Sequence, residues 1–272
     1  MYPTQDLPPF PPYPAAAQQD IDGITTEPYG IKAQPKWSDY ARVYDVVLCR
    51  TATYRTMLWD LLGKSGPLPA MCDGRVVFDL GCGTGNLSRE ILAAYPNTTL
   101  IAIDNDESMA MSFKEKLSKL LADKPTPGKA CFMLGDISEA MAVLSDWGFK
   151  ADYVFLVNVL FLVADPAAML RQIASVLRTG GELRLSNPYD KTDLNSLFSS
   201  FQSDLLAQNE FESLETEFNA LKSFNFKQLS PMLTRFSQAS LMDVLKQSGF
   251  GKLNHVSQGH YGGQSLLIST SV

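Results

Sequence analysis

The most informative motif in this chain is a set of three glycines at alternate positions, Gly81, Gly83 and Gly85. They follow a short β-branched and aromatic run, Val76–Leu80, and precede a helical pattern that begins at Leu87. Glycine has no Cβ, so the backbone can turn sharply there and come close to a ligand. The helix that follows offers free backbone N–H groups and the positive end of its dipole. This strand, turn and helix therefore predict a binding site for a nucleotide-like cofactor.

The residues after the turn exclude two common nucleotide sites. A dinucleotide fingerprint, G-x-G-x-x-G, requires a third glycine where this chain has Asn86. A P-loop requires a lysine directly after the turn, and none is present. On this motif alone, an ordinary strand-to-helix turn of another α/β protein is still an alternative.

Further apolar runs end in polar residues, as expected if parallel strands end together at one edge of a sheet. These runs are 99–104, 130–135, 151–157 and 180–187. Asp104, Asp136 and Asn158 lie at or just after the ends of three of them. In an open parallel sheet, ligands bind outside the carboxyl ends of the strands. Asp104 follows the glycine turn by about 20 residues, the separation at which an acidic residue binds ribose hydroxyls.

In this order and spacing, the segments resemble the class I S-adenosylmethionine (SAM)-dependent methyltransferases. The first motif of that family, acidic-x-Gly-x-Gly-x-Gly, is matched by Asp79 and the three glycines. The resemblance covers roughly residues 36–270 and implies SAM as the cofactor. The cofactor-binding residues that it implies are Tyr40, Asp79, Gly81, Cys82, Gly83, Gly85, Asp104, Asn105, Met109, Asp136, Ile137 and Asn158.

The resemblance gives three of these residues particular roles. Asp136 would contact the adenine amino group, Ile137 would pack against the adenine ring, and Asn158 would lie beside the transferable methyl group. It identifies the cofactor but does not identify the methyl acceptor.

Strand and helix patterns alternate along the chain, which predicts an α/β fold. With 272 residues, 45% of them hydrophobic, the chain can form one sizeable domain with an elaboration. The expected architecture is a doubly wound, mostly parallel seven-stranded sheet with an antiparallel last strand, plus a helical cap. We predict a Pro-rich extended N-terminal segment at 1–35 and a SAM-binding methyltransferase domain at 36–272, with the cap or lid at 188–235. The first segment is either a free tail or a strap across the mouth of the site.

Aromatic residues in helical patterns are candidates for contact with the acceptor. Tyr40 and Tyr44 are four residues apart, so they share one face of a predicted helix. A cofactor or substrate contact and simple aromatic packing are both open interpretations of this pair. Phe198 and Phe201 have helical spacing in the cap, and Tyr189 follows the fifth strand. We predict Tyr44, Tyr189, Phe198 and Phe201 as substrate-binding residues, and a dimer interface is the competing interpretation of the cap.

The two histidines, His255 and His260, are candidates for a general base that takes a proton from a hydroxyl or amine acceptor. His255 lies in a predicted sixth strand, and His260 lies in the loop before the last strand. If the sixth strand is parallel to the others and the last one returns antiparallel, this loop lies at the carboxyl edge. We therefore predict His260 and Tyr261 as the catalytic residues. A solvent-exposed loop histidine is the alternative.

The composition argues against several other classes of protein. A net charge of −6 disfavours a nucleic-acid partner, which normally requires a basic face. The four cysteines form no C-x-x-C pair, so no metal site is expected. The sequence shows no long apolar run and no secretory signal, so we expect a cytoplasmic protein without membrane contact.

The sequence thus favours an enzyme that transfers the methyl group of SAM to the O, N or C atom of a small-molecule acceptor, in secondary metabolism. Methyl transfer is an in-line displacement on an activated carbon, so positioning can supply much of the rate enhancement. A homodimer is compatible with this prediction. Three alternatives stay open: a methyltransferase that acts on tRNA or protein, a SAM-binding protein that transfers no methyl group, and an enzyme that uses the sulfonium of SAM for other chemistry.

Overall fold

The structure is a computed structural model that describes residues 37–64, 66, 68–123, 128–230 and 236–272. The predicted Pro-rich segment 1–35 and the end of the predicted cap, 231–235, lie outside the described residues. The chain divides into the units Met1–Gln34 and Pro35–Val272, and every element below belongs to the second unit.

A seven-stranded sheet forms the centre of this unit. Its strands are β1 (Val76–Leu80), β2 (Thr99–Asp104), β3 (Lys129–Leu134), β4 (Ala151–Val157), β5 (Leu177–Pro188), β6 (Lys252–Gly259) and β7 (Ser265–Ser271). They are arranged in the order β3-β2-β1-β4-β5-β7-β6, and only the pairs that include β7 are antiparallel. The connection from β6 to β7 therefore lies at the carboxyl edge of the parallel strands. The predicted sheet with an antiparallel last strand is confirmed.

Helices cover both faces of the sheet, because crossovers between parallel strands usually carry a helix. The described helices are α1 (Trp37–Leu48), α2 (Ala52–Leu62), α3 (Asn86–Ala94), α4 (Glu107–Asp123), α5 (Ile137–Asp146), α6 (Pro166–Val176), α7 (Leu194–Ala207), α8 (Phe211–Phe224), α9 (Gln238–Gln247) and α10 (His260–Gly263). Helices α2, α3 and α4 form one contacting row, and α5, α6 and α9 form another, as expected for a doubly wound sheet. None of the described helices is long and apolar enough to span a membrane.

Side-chain caps fix the starts of several helices. Thr51, Asp136, Asp165, Asp193 and Ser237 each accept a hydrogen bond from a backbone N–H in the first turn of α2, α5, α6, α7 and α9, respectively. Each such cap stabilises its helix by about 1 kcal/mol, since it satisfies a donor that has no partner within the helix. Helix boundaries near the sheet edge are thus set by short polar residues.

The cap helices α7 and α8 bury their apolar stripes within the chain. Phe198, Phe201 and Phe218 are 1%, 2% and 3% exposed. The ring of Phe198 lies edge-to-face with both others, at centroid distances of 5.4 and 5.6 Å. These rings join one core cluster with apolar residues of α1, α2, α3 and the sheet. A second subunit is therefore not needed to cover the stripes.

Strand β5 begins earlier than the predicted run at 180–187. Its pairing with β4 starts at Leu177, directly after α6. The pair Ala151–Leu177 is followed along β4 by the pair Tyr153–Glu182, so β5 carries the extra residues of a bulge. Because a bulge interrupts the alternation of side chains, hydrophobic patterning does not detect it.

A fully buried charge, Arg184 of β5, ties α2 to the sheet. Its guanidinium donates to the carbonyl oxygens of Leu61 and Pro69 at 2.7 and 3.0 Å. It also pairs with Glu182 at 2.9 Å and lies 5.2 Å from the ring centroid of Tyr153. The rigid fork of five donors in arginine suits a site where several acceptors must be satisfied together.

Replacing Arg184 with alanine should lower the free energy of unfolding by about 3–5 kcal/mol, because Glu182 and the two carbonyls lose their buried partner. Urea denaturation measures this change. The control is Arg178→Ala, since 49% of the Arg178 side chain is exposed where it pairs with Asp152. That substitution should cost about 1 kcal/mol or less. Equal effects of the two substitutions would contradict the role given to Arg184.

Candidate functional site

The three glycines after β1 all have left-handed backbone, with φ of 67°, 54° and 80° at Gly81, Gly83 and Gly85. A Cβ on Gly81 would lie 2.4 Å from Val159 Cγ2, and a Cβ on Gly85 would lie 2.4 Å from Phe113 Cδ2. At Gly83, no described atom lies within 4 Å of such a Cβ. Packing against the protein thus requires two of the glycines, whereas Gly83 borders open space in which a ligand can approach the backbone.

Asp104, at the end of β2, holds this turn. Its Oδ2 accepts a hydrogen bond from the Gly83 N–H at 2.7 Å, and its Oδ1 accepts one from the Asp106 N–H at 3.0 Å. Burial raises the pKa of the Asp104 carboxyl above its usual value. Asn105, the next residue, is exposed, and Met109 is buried in the first turn of α4. The predicted cofactor residues of β2 and α4 thus lie beside the glycine turn.

Asp79 connects β1 to the helix after the turn. It is 2% exposed, and its Oδ2 accepts a 2.6 Å hydrogen bond from the Ser88 hydroxyl of α3. Burial, with a smaller contribution from the charge of Asp104, raises the pKa of Asp79 to about 7. Cys82 is also buried, and its N–H donates to the Ile103 carbonyl at 3.0 Å. The acidic residue and the cysteine of the motif are therefore both engaged with the protein itself.

Asp136 and Ile137 follow β3 at the same sheet edge. Strand β3 pairs with β2 as far as Leu134 opposite Asp104, so Asp136 lies two residues beyond that pair. Asp136 accepts hydrogen bonds at 2.8 and 3.2 Å from two backbone N–H groups of α5. It is exposed and Ile137 is half-buried, so a ligand at this edge can reach both.

Asn158, after β4, has φ of 55°, which is uncommon for a non-glycine residue. Its N–H donates to the Ser186 carbonyl at 2.8 Å, and its Nδ2 lies 3.9 Å from Met57 Sδ of α2. Its Oδ1 is buried and has no hydrogen-bond partner among the described residues. Because the next residue, Val159, limits the space at Gly81, Asn158 lies close to the glycine turn.

Side chains of α1 and α4 hold the turn from another side. Asp45 Oδ1 accepts hydrogen bonds from Thr84 Oγ1 at 2.7 Å and from Asn86 Nδ2 at 2.8 Å. Asp45 Oδ2 forms a 2.8 Å ion pair with Lys116 Nζ, which also donates to Thr84 Oγ1 at 3.1 Å. Neither Asp45 nor Lys116 was predicted from the sequence, because no local pattern links residues that are 71 positions apart.

Tyr40 and Tyr44 belong to an aromatic stack between α1, α2 and α8. The ring of Tyr40 lies 4.9 Å from that of Tyr44 and 4.6 Å from that of Phe224. The Tyr54 hydroxyl accepts hydrogen bonds from the Tyr44 hydroxyl at 3.0 Å and from Asn86 Nδ2 at 3.2 Å. Burial raises the pKa of all three tyrosines above the usual range, so their hydroxyls stay protonated at neutral pH. The stack thus reaches the glycine turn through Asn86, and its contact with a ligand stays a prediction.

His260 lies in α10 at the carboxyl edge and is only 2% exposed. Its Nδ1 lies 3.2 Å from Asp60 Oδ2 of α2, so the alternative of a solvent-exposed histidine is wrong. Tyr261 has φ of 54°, and its ring centroid lies 5.8 Å from that of Phe201. The Tyr189 hydroxyl donates to a backbone carbonyl of α10 at 3.3 Å. The structure therefore places these predicted residues together near α2, and their roles stay predictions.

The second histidine and the possible metal ligands do not add to this site. His255 lies in the middle of β6 and pairs with Ser269 of β7. Within the ranges that the structure describes, no three His, Cys, Asp or Glu side chains are grouped so that they could hold a metal ion.

Comparisons with known proteins agree with this geometry. Residues 72–247 match the model of a family described as a methyltransferase domain. A trans-aconitate 2-methyltransferase of Acidovorax sp. (strain JS42) is 30% identical over 132 residues, which are 47% of this chain and 43% of that protein. A carboxy-S-adenosyl-L-methionine synthase of Shewanella amazonensis is 28% identical over 185 residues, which are 65% of this chain and 71% of that protein. The chain thus spans less than half the length of the trans-aconitate relatives that it matches.

The likeness extends to a solved structure. A candidate S-adenosyl-L-methionine-dependent methyltransferase from Methanococcus maripaludis matches with a TM-score of 0.54 and 17% identity, over 92% of this chain and 97% of that one. At this identity the match supports the fold.

The raised pKa of Asp79 predicts how stability depends on pH. The carboxyl has a pKa of about 7 when folded, against 3.8 for a solvated one, so between these values the folded protein holds a proton that the unfolded chain has lost. This contribution to stability is therefore present below about pH 4 and is lost as the pH rises through 7. Asp79→Asn removes the titrating group, so its free energy of unfolding should fall less between pH 5 and pH 8 than that of the wild type.

Urea denaturation at both pH values tests this expectation. Glu115→Gln is the control, because 69% of the Glu115 side chain is exposed. Its free energy of unfolding should change between pH 5 and pH 8 as much as that of the wild type. The same pH dependence in Asp79→Asn and the wild type would contradict the burial of this carboxyl.

Proposed function

Since this chain belongs to the methyltransferase domain family, we propose that it transfers the methyl group of SAM to a small-molecule acceptor. The observation that carries the proposal is Gly83, which borders open space while Asp104 holds its N–H at the carboxyl edge of the sheet. An adenosyl group needs both a backbone that it can approach closely and an acidic residue for its ribose hydroxyls.

The residues at this edge have the chemistry that SAM requires, and SAM is the cofactor that membership of the family implies. Asp104 would bind the ribose hydroxyls, Asp136 the adenine amino group, and Ile137 the face of the adenine ring. Asn158 would lie beside the methyl group. Bound SAM supplies an activated methyl carbon, while the protein orients the acceptor and excludes water.

Several features support a small acceptor. The net charge of −6 opposes binding to a nucleic-acid backbone. A trans-aconitate 2-methyltransferase, whose name indicates a small carboxylic acid as acceptor, is among the relatives. We place the reaction in the secondary metabolism of a cytoplasm, and the four unpaired cysteines are compatible with a reducing compartment.

Two other functions compete with this one. The acceptor could be a macromolecule, either tRNA or protein. The protein could also bind SAM without transferring its methyl group, an alternative favoured by the relative that is named as a synthase of carboxy-S-adenosyl-L-methionine.

Methyl-labelled SAM distinguishes these functions. Incubated with a panel of small hydroxyl, amine and carboxyl compounds, the full chain should label a small product. It should label neither bulk tRNA nor cell protein. Label in either macromolecular fraction would favour the first alternative, and tight SAM binding without any labelled product would favour the second.

Gly83→Leu should weaken SAM binding by about 100-fold or more, equivalent to about 2.7 kcal/mol, because the side chain enters the open space above the turn. Isothermal titration calorimetry measures the affinity. Gly148→Leu is the matched control, since Gly148 also has left-handed backbone, with φ of 74°, and no described atom lies within 4 Å of where its Cβ would be. Gly148 follows α5, away from the carboxyl edge, so its substitution should leave SAM affinity unchanged. Wild-type affinity in Gly83→Leu would exclude the cofactor site.

A further inference from the structure

We propose that His260, Asn158, Ser186 and Ser265 form a pocket for the hydroxyl group of a phenolic acceptor, with Asp60 positioning His260 as the proton acceptor. The proposal rests on the proposed function, because it names the acceptor class of the same site. The hydroxyl oxygen would form a bond to the methyl carbon while the carbon–sulfur bond breaks and its electron pair stays on sulfur. The hydroxyl proton would go to His260 Nε2.

Unpaired polar atoms mark the pocket. His260 Nε2, Asn158 Oδ1, Ser186 Oγ and Ser265 Oγ are all buried, and none has a hydrogen-bond partner among the described residues. Leaving a buried polar atom unpaired is costly, so such atoms are uncommon in folded proteins. Four of them at one place indicate a ligand that supplies the missing partners.

The register of the sheet brings these atoms together. Ser186 lies opposite Leu267 in the β5–β7 pair. Ser265 is two residues from Leu267, so it shares a face with Ser186 and is its diagonal neighbour at about 7–8 Å between Cα atoms. The Asn158 N–H donates to the Ser186 carbonyl at 2.8 Å, and His260 forms a β-bridge with Ser265.

The same atoms face α2. Ser186 is two residues from Arg184, which donates to the Leu61 carbonyl of α2, so both side chains lie on the α2 side of the sheet. The four atoms are therefore enclosed between α2, the carboxyl ends of β4 and β5, and the amino end of the antiparallel β7.

Two residues of α2 extend this enclosure. Met57 and Asp60 are three residues apart and share one helix face. Met57 Sδ lies 3.9 Å from Asn158 Nδ2, and Asp60 Oδ2 lies 3.2 Å from His260 Nδ1. One face of α2 thus connects the residue beside the glycine turn with the histidine.

The chemistry of the unpaired atoms selects a hydrogen-bond donor. We assign the hydrogen of the His260–Asp60 contact to His260 Nδ1, because a carboxylate only accepts; in that neutral tautomer Nε2 carries a lone pair. Asn158 Oδ1 is also an acceptor. A hydroxyl supplies one hydrogen, which we assign to His260 Nε2, whereas a carboxylate supplies none.

Two cations among the described residues of this half of the protein are already engaged, which disfavours a carboxylate further. Arg184 is bound to Glu182 and to two backbone carbonyls, and Lys116 is paired with Asp45. A carboxylate in this pocket would lie near Asp60, and neither Arg184 nor Lys116 is free to pair with it. A neutral hydroxyl meets no such penalty.

The surroundings favour an aromatic hydroxyl. Tyr261, beside His260, holds its ring 6.3 Å from that of Tyr54 and 5.8 Å from that of Phe201. Its left-handed backbone, with φ of 54°, is strained for a tyrosine, and such strain is concentrated at functional sites. A phenol, with a pKa near 10, also gives up its proton to an imidazole far more readily than an aliphatic alcohol does.

Binding of two matched probes tests the pocket in the full chain saturated with S-adenosylhomocysteine. By NMR titration, 4-methylphenol should bind at least tenfold more tightly than 4-methylbenzoate. His260→Gln should weaken 4-methylphenol at least fivefold and leave the affinity for SAM within twofold. His255→Gln, the same change at the mid-strand histidine, should leave both affinities unchanged.

Two further measurements separate proton transfer from folding and binding. With labelled SAM, His260→Gln should lower the rate of transfer to saturating 4-methylphenol by 100-fold or more. Asp60→Asn should lower the same rate but leave the dissociation constant for 4-methylphenol within twofold. Ser265→Ala removes an unpaired hydroxyl, so it should fold at least as well as the wild type and still weaken 4-methylphenol.

The outcomes distinguish the two proposals. If wild-type protein fails to bind SAM, the proposed function and the pocket both fail. If it binds SAM but 4-methylbenzoate binds as well as 4-methylphenol, or the substitutions at 260 and 265 leave phenol affinity unchanged, the pocket alone is overturned. A wild-type protein that binds the phenol without methylating it overturns the role of His260 as proton acceptor.

Discussion

The left-handed turn after β1 is the constraint on which the rest of the site depends. Neighbouring atoms leave no room for a side chain at Gly81 and Gly85. Gly83 has the same positive φ, although no described atom fills the space beside it. Such a turn keeps its shape only if its polar groups are held. Asp104 of β2 binds the Gly83 N–H, and Asp45 of α1 binds the side chains at 84 and 86. A ligand thus meets a backbone that two other elements have already positioned.

Helix α1 is part of this site because it supplies Asp45, and the cap is connected to the site through α1. Tyr40 of α1 packs on Phe224 of α8, and Tyr44 bonds through Tyr54 to Asn86 after the turn. Burial keeps these tyrosines protonated, so the connection consists of neutral hydrogen bonds and ring contacts. The cap helix α8 and the helix α1 that holds the glycine turn therefore pack against each other, and α2 is joined to α1 and to Asn86 through Tyr54.

Local patterns predicted much of the fold, while contacts between distant residues were beyond them. The bounds of β1, β2 and β4 were predicted correctly, because each is a short, mainly apolar run that is followed by a glycine or a polar residue. The early start of β5 was not, since a bulge has no hydrophobic signature. Topology predicted the edge at which His260 lies, but no local pattern predicts its burial or its contact with Asp60, 200 positions away in the chain. Asn86 served only to exclude a dinucleotide site, whereas in the structure it bonds to Asp45 and Tyr54.

The two halves of the carboxyl edge differ in how their polar groups are satisfied. On the side of the glycine turn, Asp79, Asp104 and Asp136 all accept hydrogen bonds from the protein, so that side is held in shape by the protein itself. On the α2 side, the amide oxygen of Asn158 and the free nitrogen of His260 are buried without partners among the described residues. The free-energy cost of these unpaired atoms is offset when a ligand bonds to them. The half whose polar groups are already paired suits a ligand that is common to the whole family. The unsatisfied half is where selectivity for one acceptor can arise, because only a molecule that donates hydrogen there removes the penalty.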